Sequence, residues 1–198
     1  MNHYFTNNSN IKSDVREYKV SILEDTFTFF TDNGVFSKEH LDFGSRLLIE
    51  SFIDNGIEGD LLDLGSGIGV ISIILSKKYK RHVTMIEVNE RAASLSKINA
   101  SKNGVDALII NKSIEDGHDG NYAYVVTNPP IRAGKKIVYK FFEVAYNCLA
   151  DQGELWVVMR KQHGAESAIK EIESLFLNSV IVKKKNGFFI IKAIKNAK

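Results

Sequence analysis

The 198-residue sequence predicts an α/β fold in which a mostly parallel, doubly wound sheet carries helices on both faces. From about residue 60 onward, short apolar runs of strand length alternate with amphipathic stretches of helix length. Such alternation builds parallel strands through right-handed crossovers. The last two apolar runs flank Asn186-Gly187, a strong hairpin signal, so we expect the sheet to end in an antiparallel pair.

Seven strands are predicted in this sheet. Five apolar runs rich in β-branched residues are expected to be buried strands: residues 61–64, 83–88, 107–110, 122–127 and 154–159. Helices are expected over residues 70–78, 90–103, 135–149 and 167–176, and the terminal hairpin over 179–184 and 188–194. The sequence therefore predicts a Rossmann-like sheet within a single domain that spans residues 1–198.

The N-terminal residues fit this alternation less well. The segment FTFFTDNGVF, residues 27–36, reads as a short strand and a turn at residues 32–34, and a helix is expected over roughly residues 38–55. We interpret residues 1–59 as an N-terminal cap over the site and residues 60–198 as the Rossmann-like core.

Composition argues against several other classes of protein. A single cysteine, Cys148, excludes a disulfide framework, and its place at the end of an amphipathic helix favours a small buried side chain over a nucleophile. The five histidines have no metal-ligand spacing, so no metal site is expected. No apolar run approaches the roughly 18 residues of a membrane span, and the N-terminus lacks a signal-peptide pattern. We expect a soluble, cytoplasmic protein with no membrane partner.

The strongest local motif is LLDLGSGIGVISIIL, residues 61–75, in which an apolar strand leads through Gly65, Gly67 and Gly69 into an apolar helix. Glycine permits positive φ and lets a ligand approach the backbone. Between a strand and a helix, such a loop indicates a nucleotide-type cofactor. Gly69 comes one position earlier than the third glycine of G-x-G-x-x-G, which argues against a nicotinamide-dependent oxidoreductase.

Two carboxylates narrow the choice of cofactor. Asp63 stands two residues before the first glycine, where it would repel a diphosphate and suits an ammonium or sulfonium charge. Glu87 ends the next predicted strand and is placed to accept hydrogen bonds from ribose hydroxyls. S-Adenosylmethionine has both positive charges, a ribose and no phosphate, so the sequence predicts it as the cofactor.

Both prolines of the chain stand side by side in TNPPIRAGKK, residues 127–136, directly after the fourth predicted strand of the core. Proline fixes φ and lacks an N–H, so this element is stiff and its carbonyls point outward. The side-chain oxygen of Asn128 and the main-chain oxygen of Pro129 can hold the two hydrogens of an exocyclic amine. The nitrogen lone pair then turns toward the sulfonium methyl, and no strong general base is needed before attack.

D-x-G-x-G-x-G after one strand and N-P-P-I after the fourth together resemble class I S-adenosylmethionine-dependent methyltransferases. In particular, the chain resembles the small-subunit ribosomal RNA (guanine-N2) methyltransferase C-like family, which acts on the exocyclic amine of guanine. Further similar stretches are HYFT at 3–6, residues 29–50, NPPIRAGK at 128–135 and LWVVMRKQHGA at 155–165.

This resemblance implies two sets of site residues. The cofactor is expected to contact Phe36, Ser37, Asp63, Gly65, Gly67, Gly69, Glu87 and Asn128, with residues 34–37 and 42–45 helping to close its pocket. The catalytic element that receives the target base is expected to comprise Asn128, Pro129, Pro130 and Ile131.

The expected RNA partner is small-subunit ribosomal RNA or the small subunit itself. Arg132, Lys135 and Lys136 follow the catalytic element and are expected to bind phosphates beside the target nucleotide. Adenine-specific relatives usually carry an aromatic residue where this chain has Ile131, so base stacking is assigned to Phe36, for which a core role is equally open. Longer relatives have an additional N-terminal domain, which a homodimer could replace.

The expected reaction is therefore methyl transfer from S-adenosylmethionine to the exocyclic amine of guanine in 16S ribosomal RNA. Three alternatives stay open: an adenine-N6 methyltransferase, a protein glutamine-amide methyltransferase, and a non-catalytic RNA-binding module of the same fold. Ile131 argues against the first two, and the intact Asp63, Asn128 and Pro129 argue against the third.

Overall fold

The computed structural model describes residues 12–36 and 40–196, and in that part of the chain it contains nine strands and five α-helices. The strands are β1 (Arg16–Ile22), β2 (Asp25–Thr31), β3 (Leu61–Leu64), β4 (Val83–Glu87), β5 (Ala107–Asn111), β6 (Tyr122–Thr127), β7 (Leu149–Arg160), β8 (Val180–Lys185) and β9 (Phe188–Ile194). The helices are α1 (Phe43–Ser51), α2 (Val70–Tyr79), α3 (Glu90–Lys102), α4 (Lys135–Cys148) and α5 (Ala165–Phe176). Ser37 and residues 3–6 lie outside the described residues.

Seven strands form one sheet in the order β5-β4-β3-β6-β7-β9-β8, and β1 and β2 form a separate hairpin. Strands β3 to β7 are parallel to one another, whereas β9 is antiparallel to both β7 and β8. The predicted doubly wound sheet with its terminal hairpin is confirmed. Because the chain order reverses between β3 and β6, a crevice opens at the carboxyl ends of these two strands.

Each face of the sheet has its own hydrophobic core. Leu61 of β3 faces the core formed with α1, α2, α3 and the β1–β2 hairpin. Leu62 and Leu64 face the opposite core, formed with α4 and α5. Successive side chains of a strand point to opposite faces, so the continuous apolar run of β3 is buried on both sides.

Three elements differ from the sequence prediction. Helix α1 begins at Phe43 rather than near residue 38, because the Asp42 side chain caps it and accepts a hydrogen bond from Ser45 N at 3.0 Å. Strand β7 begins at Leu149, five residues before the predicted start, because Leu149 pairs with Tyr122. Strand β1 was missed since most of its side chains are exposed or half-buried, which leaves little apolar pattern.

Side-chain amides attach the β1–β2 hairpin to helix α3. Asn99 accepts from Phe30 N at 2.7 Å and donates to Phe30 O at 3.0 Å, and Asn103 makes the same pair of bonds with Thr28. The four-residue spacing on the helix matches the two-residue spacing on the strand edge. Asn99 also donates to Ile68 O at 2.9 Å, so one buried side chain joins the hairpin to the glycine-rich loop.

We expect Asn99→Ala to lower the free energy of unfolding by about 2–4 kcal/mol, because the three hydrogen bonds of this buried side chain contribute roughly 1 kcal/mol each and their partners are left unpaired. Chemical denaturation measures this change, and amide hydrogen exchange at Phe30 should become faster. The matched control is Asn147→Ala at an exposed position of α4, with a change near zero. Equal effects of the two substitutions would contradict the assigned role.

Candidate functional site

A cavity of about 970 Å³ opens at the carboxyl ends of β3, β4 and β6. It is lined by Gly65 to Ile68 after β3, by Glu87 and Val88 at the end of β4, and by Asn128 to Arg132 after β6. Thr127 at the end of β6 donates its hydroxyl to Leu64 O at the end of β3, at 2.7 Å. This buried hydrogen bond sets the glycine loop and the Asn-Pro-Pro loop side by side.

Three positions of the glycine loop have a backbone conformation that favours glycine. Gly65, Gly67 and Gly69 all have positive φ, at 70°, 57° and 86°. A Cβ on Gly65 would lie 2.8 Å from the ring of Phe141. Gly65 and Gly67 line the cavity, whereas Gly69 lies behind it and caps helix α2.

Glu87 holds the loop in place and faces the cavity. Its two carboxylate oxygens accept hydrogen bonds from the backbone of Gly67 and of Asn89, each at 2.8 Å. Burial raises the pKa of Glu87, and these backbone hydrogen bonds act in the opposite direction. Since each oxygen has a second lone pair, Glu87 can accept further hydrogen bonds from a ligand.

Asp63 is 1% exposed and lies behind the glycine loop rather than on the cavity wall. Neither of its oxygens has a hydrogen-bond partner among the described residues. Burial raises the pKa of Asp63 to about 7; polar groups of Ser72 oppose this, and the charge of Glu87 adds to it. An orphaned buried carboxyl next to a second carboxylate fits a cationic ligand in this cavity.

Asn128 carries the other half of the site. Its side-chain Nδ2 donates to Ser45 Oγ of helix α1 at 3.0 Å. Pro129, Pro130 and Ile131 follow it along the cavity wall, and Ile131 begins a short 3-10 turn, Ile131–Ala133. The structure thus brings the whole predicted catalytic element to the same cavity as Gly65, Gly67 and Glu87.

An aromatic and basic wall lies in the same cavity. The sequence predicted Phe36 at the site and placed Phe43 within residues 42–45 that help to close the pocket, whereas it assigned neither Phe188 nor Arg160 to the site. Phe188, the first residue of β9, has its ring 5.4 Å from that of Phe43, and the guanidinium of Arg160 lies 5.5 Å from the Phe188 ring. Phe36, which is 38% exposed, lines the cavity as well. For Arg160 the sequence signal was the similar stretch LWVVMRKQHGA, in which it lies.

The loop after β5 also lines the cavity without having been predicted there. Lys112, Ser113, Ile114 and Glu115 belong to it. Because β5 ends at the same edge of the sheet as β3 and β4, its following loop could have been proposed from the strand order alone.

The three residues expected to bind RNA separate into two groups. Arg132 lines the cavity. Lys135 and Lys136 are exposed at the start of α4 and do not line it, and the Lys135 ammonium lies 5.0 Å from the centre of the Tyr139 ring. Of these three residues, Arg132 is therefore the one that lies at the cavity.

Cys148 lies at the buried end of α4, where burial raises the pKa of its thiol to about 11. A thiol with so high a pKa is a weak nucleophile at neutral pH, in agreement with the interpretation as a small buried side chain. Within residues 12–36 and 40–196, no cluster of three or more potential metal ligands is present. Among these residues no helix is long and apolar enough to cross a membrane.

The model of the methyltransferase small domain family matches residues 26–192. The chain belongs to this family. Its similarity to a Bacillus subtilis (strain 168) protein, described as uncharacterized protein YbxB, is 45% identity over 197 residues and 98% of each chain. The resemblance to class I methyltransferases is therefore confirmed at the level of the family.

Solved structures share the fold. The T. thermophilus 16S rRNA N2 G1207 methyltransferase (RsmC), in complex with AdoMet and guanosine, has a TM-score of 0.82, 22% identity and covers 92% of this chain. The present chain spans about half of that protein, 51% of its length. The ribosomal protein L11 methylase from Lactobacillus delbrueckii subsp. bulgaricus has a TM-score of 0.63 and 15% identity over 78% of this chain and 77% of its own. The predicted cofactor, S-adenosylmethionine, agrees with this family and fold.

We expect Asp63→Asn to change the pH dependence of stability. The ordinary pKa of an Asp side chain is 3.8, and that of Asp63 in the folded protein is about 7. Between these pH values the folded protein keeps a proton that the unfolded chain has lost, so the stabilisation that is present below about pH 4 is lost as the pH rises through about 7. Relative to wild type, the variant should gain up to roughly 1.4 kcal/mol per pH unit between about pH 4 and 7. Denaturant unfolding at several pH values measures the difference.

The control for this experiment is Asp54→Asn. Hydrogen bonds from Arg81 lower the pKa of Asp54, so its contribution has the opposite sign and is lost as pH falls below about 4. A stability difference for Asp63→Asn that does not vary with pH would show that this carboxyl is not held protonated.

Proposed function

We propose that the protein transfers a methyl group from S-adenosylmethionine to the exocyclic amine of guanine in 16S ribosomal RNA. The observation that carries the proposal is that the glycine loop, Glu87 and the Asn-Pro-Pro element line one cavity. A cofactor on the first two and an amine on the third would then lie next to each other. The fold shared with a 16S rRNA N2 G1207 methyltransferase supports guanine as the base.

The cofactor side is built from backbone and carboxylates. Gly65 and Gly67 allow close approach, and Glu87 can accept hydrogen bonds from ribose hydroxyls. A cationic ligand in the cavity would favour the charged form of Asp63, whose buried carboxyl lies behind the loop. Phe36 contributes an aromatic face, and Ser37 remains assigned to the cofactor from the sequence resemblance. When bound, S-adenosylmethionine supplies an electrophilic methyl group on a positively charged sulfur.

The acceptor side holds an amine by two oxygens. Asn128 Oδ1 and Pro129 O accept the two N–H groups, which fixes the plane of the amine and favours a lone pair directed at the cofactor. Both residues are stiffened, Asn128 by the following proline and by its hydrogen bond to Ser45. These residues position the amine and take no proton, and the proton leaves to solvent after the new N–C bond has formed.

The wall of the cavity offers contacts for a nucleobase that has left the RNA stack. Since Ile131 is aliphatic, the aromatic surface comes from Phe188 and Phe43, with Arg160 against the Phe188 ring. Aromatic and guanidinium faces are the groups on which unstacked bases rest. Phe36, the residue first assigned to stacking, is a second aromatic contact within the cavity.

An amide-methylating activity on a protein is the principal competing function. A glutamine side chain presents the same planar NH₂ group to Asn128 and Pro129, and the fold is shared with a ribosomal protein L11 methylase. The aromatic and basic wall favours the nucleobase, because an amide offers no ring to stack. An adenine-N6 acceptor has a ring and differs from guanine in the edge next to its amine.

The proposed function is tested by incubating the protein with methyl-labelled S-adenosylmethionine and unmodified 16S ribosomal RNA or small subunits. Nucleoside mass spectrometry should find the label in guanine methylated on N2. We expect Asn128→Ala to lower this transfer by about 100-fold or more, with the cofactor dissociation constant changed by less than about threefold.

The exposed Asn147→Ala variant serves as control and should retain full transfer. Label found in adenine or in a protein glutamine would show that this group, and not guanine, is the acceptor. Undiminished transfer by Asn128→Ala would refute the assigned grip on the amine.

A second expectation concerns RNA affinity. Each lost phosphate contact reduces the slope of log affinity against log salt by about 0.7 to 0.9. We therefore expect Arg132→Ala to reduce the slope for a 16S ribosomal RNA fragment by about one contact. Lys78→Ala, at the exposed C-terminal end of α2 and outside the cavity, should leave the slope unchanged. Fluorescence anisotropy titrations at several salt concentrations measure both, and equal slopes for the two variants would exclude Arg132 as a phosphate contact.

A further inference from the structure

The side-chain amide of Asn128 can accept a hydrogen bond from an exocyclic amine in only one of its two orientations. With Oδ1 toward the substrate, it accepts a hydrogen from an exocyclic amine. Rotated by half a turn, it presents its own NH₂ group, and two donors then face each other. The proposed reaction therefore needs something to fix the orientation of this amide.

We propose that Ser45 is the positioning residue that keeps the oxygen of Asn128 directed at the acceptor amine. Asn128 Nδ2 donates to Ser45 Oγ at 3.0 Å, which occupies the NH₂ side of the amide. The two residues are 83 positions apart, and both line the cavity. This inference rests on the proposed function for the identity of the amine, whereas the orientation itself does not depend on the substrate.

Ser45 is well suited to hold a fixed position. It is 5% exposed and lies in the first turn of α1, where its backbone N–H donates to the capping side chain of Asp42 at 3.0 Å. The helix is packed closely beside it, since a Cβ on Gly44 would lie 3.0 Å from the Phe188 ring. The backbone that carries the Ser45 side chain is therefore fixed by the helix cap and by this packing.

The direction of the hydrogen bond to Ser45 decides which end of the amide is free. A serine hydroxyl can donate or accept, so in principle it could pair with either end of an amide. In the structure Ser45 Oγ accepts from Asn128 Nδ2, which leaves Asn128 Oδ1 available to an acceptor amine.

The first test needs no substrate. The Nδ2 signals of Asn128 in ¹⁵N-labelled protein are assigned by their loss in Asn128→Ala. In Ser45→Ala we expect them to shift and their hydrogen exchange to accelerate by about tenfold, the effect of one lost hydrogen bond. Ser45→Thr, which keeps the hydroxyl, should resemble wild type. Unchanged Asn128 signals in Ser45→Ala would overturn the proposal.

The matched control is Ser76→Ala. Ser76 is similarly buried, and its hydroxyl donates to Arg81 O outside the cavity, so this variant reports the effect of losing a buried hydroxyl on the fold. Melting temperatures of both variants show whether they are folded. The Asn128 signals should be unaffected by Ser76→Ala.

The second test is methyl transfer in two backgrounds. We expect Ser45→Ala to lower kcat by about tenfold or more while the cofactor dissociation constant stays within about twofold. A carboxylate has two equivalent oxygens, so its orientation does not need to be fixed. In an Asn128→Asp background we therefore expect Ser45→Ala to lower kcat by less than about twofold. Equal losses in the two backgrounds would mean that Ser45 acts independently of Asn128.

The two tests separate this inference from the proposed function. If wild-type protein methylates no guanine, the proposed function is wrong, and the amide signals still decide whether Ser45 orients Asn128. If guanine is methylated and the amide signals do not respond to Ser45→Ala, the inference alone is wrong.

Discussion

The close approach of the glycine loop to its neighbours is the constraint on which the site depends. The missing side chain of Gly65 leaves room for the Phe141 ring of α4, and that of Gly69 leaves room for Ile73 and for Met85 of β4. Packed in this way from both faces of the sheet, the loop directs the N–H of Gly67 to Glu87. One contact fixes both the backbone that a cofactor would approach and the carboxylate that would receive its ribose.

Two buried or partly buried carboxyl groups, Asp54 and Asp63, lie near opposite ends of the sheet and differ in their hydrogen-bond partners. In the loop before β3, Asp54 receives hydrogen bonds from Arg81 and Tyr124, and the resulting pKa is below the ordinary value. At the other end, Asp63 has no such partner, and its pKa is about 7. Asp63 lies at the end of the sheet where the cavity opens, and a cationic ligand there would favour the charged form of its carboxyl.

Most of the core could be predicted because its signal is local. Strands β3 to β6 and helices α2 to α5 follow from apolar runs and helical spacing, and the glycine loop and the two prolines are continuous motifs. The wall formed by Phe43 and Phe188 could not be predicted in this way, since the contact joins residues 145 positions apart in sequence. For Ser45 the local pattern indicates only a helix start, and its link to Asn128 exists solely in the folded chain.

The two halves of the cavity come from different parts of the architecture. Loops after β3 and β4 of the parallel core line the half proposed for the cofactor. Helix α1 and strand β9, which lie outside the strand-helix alternation, complete the half proposed for the acceptor. A grip of two oxygens accepts any planar NH₂ group, so selectivity between acceptors has to come from the surrounding wall. This separation of the two halves agrees with the fold being shared by a 16S rRNA N2 G1207 methyltransferase and a ribosomal protein L11 methylase. The proposed function therefore assigns the choice of substrate to Phe43, Phe188 and Arg160, and the chemistry to Asn128.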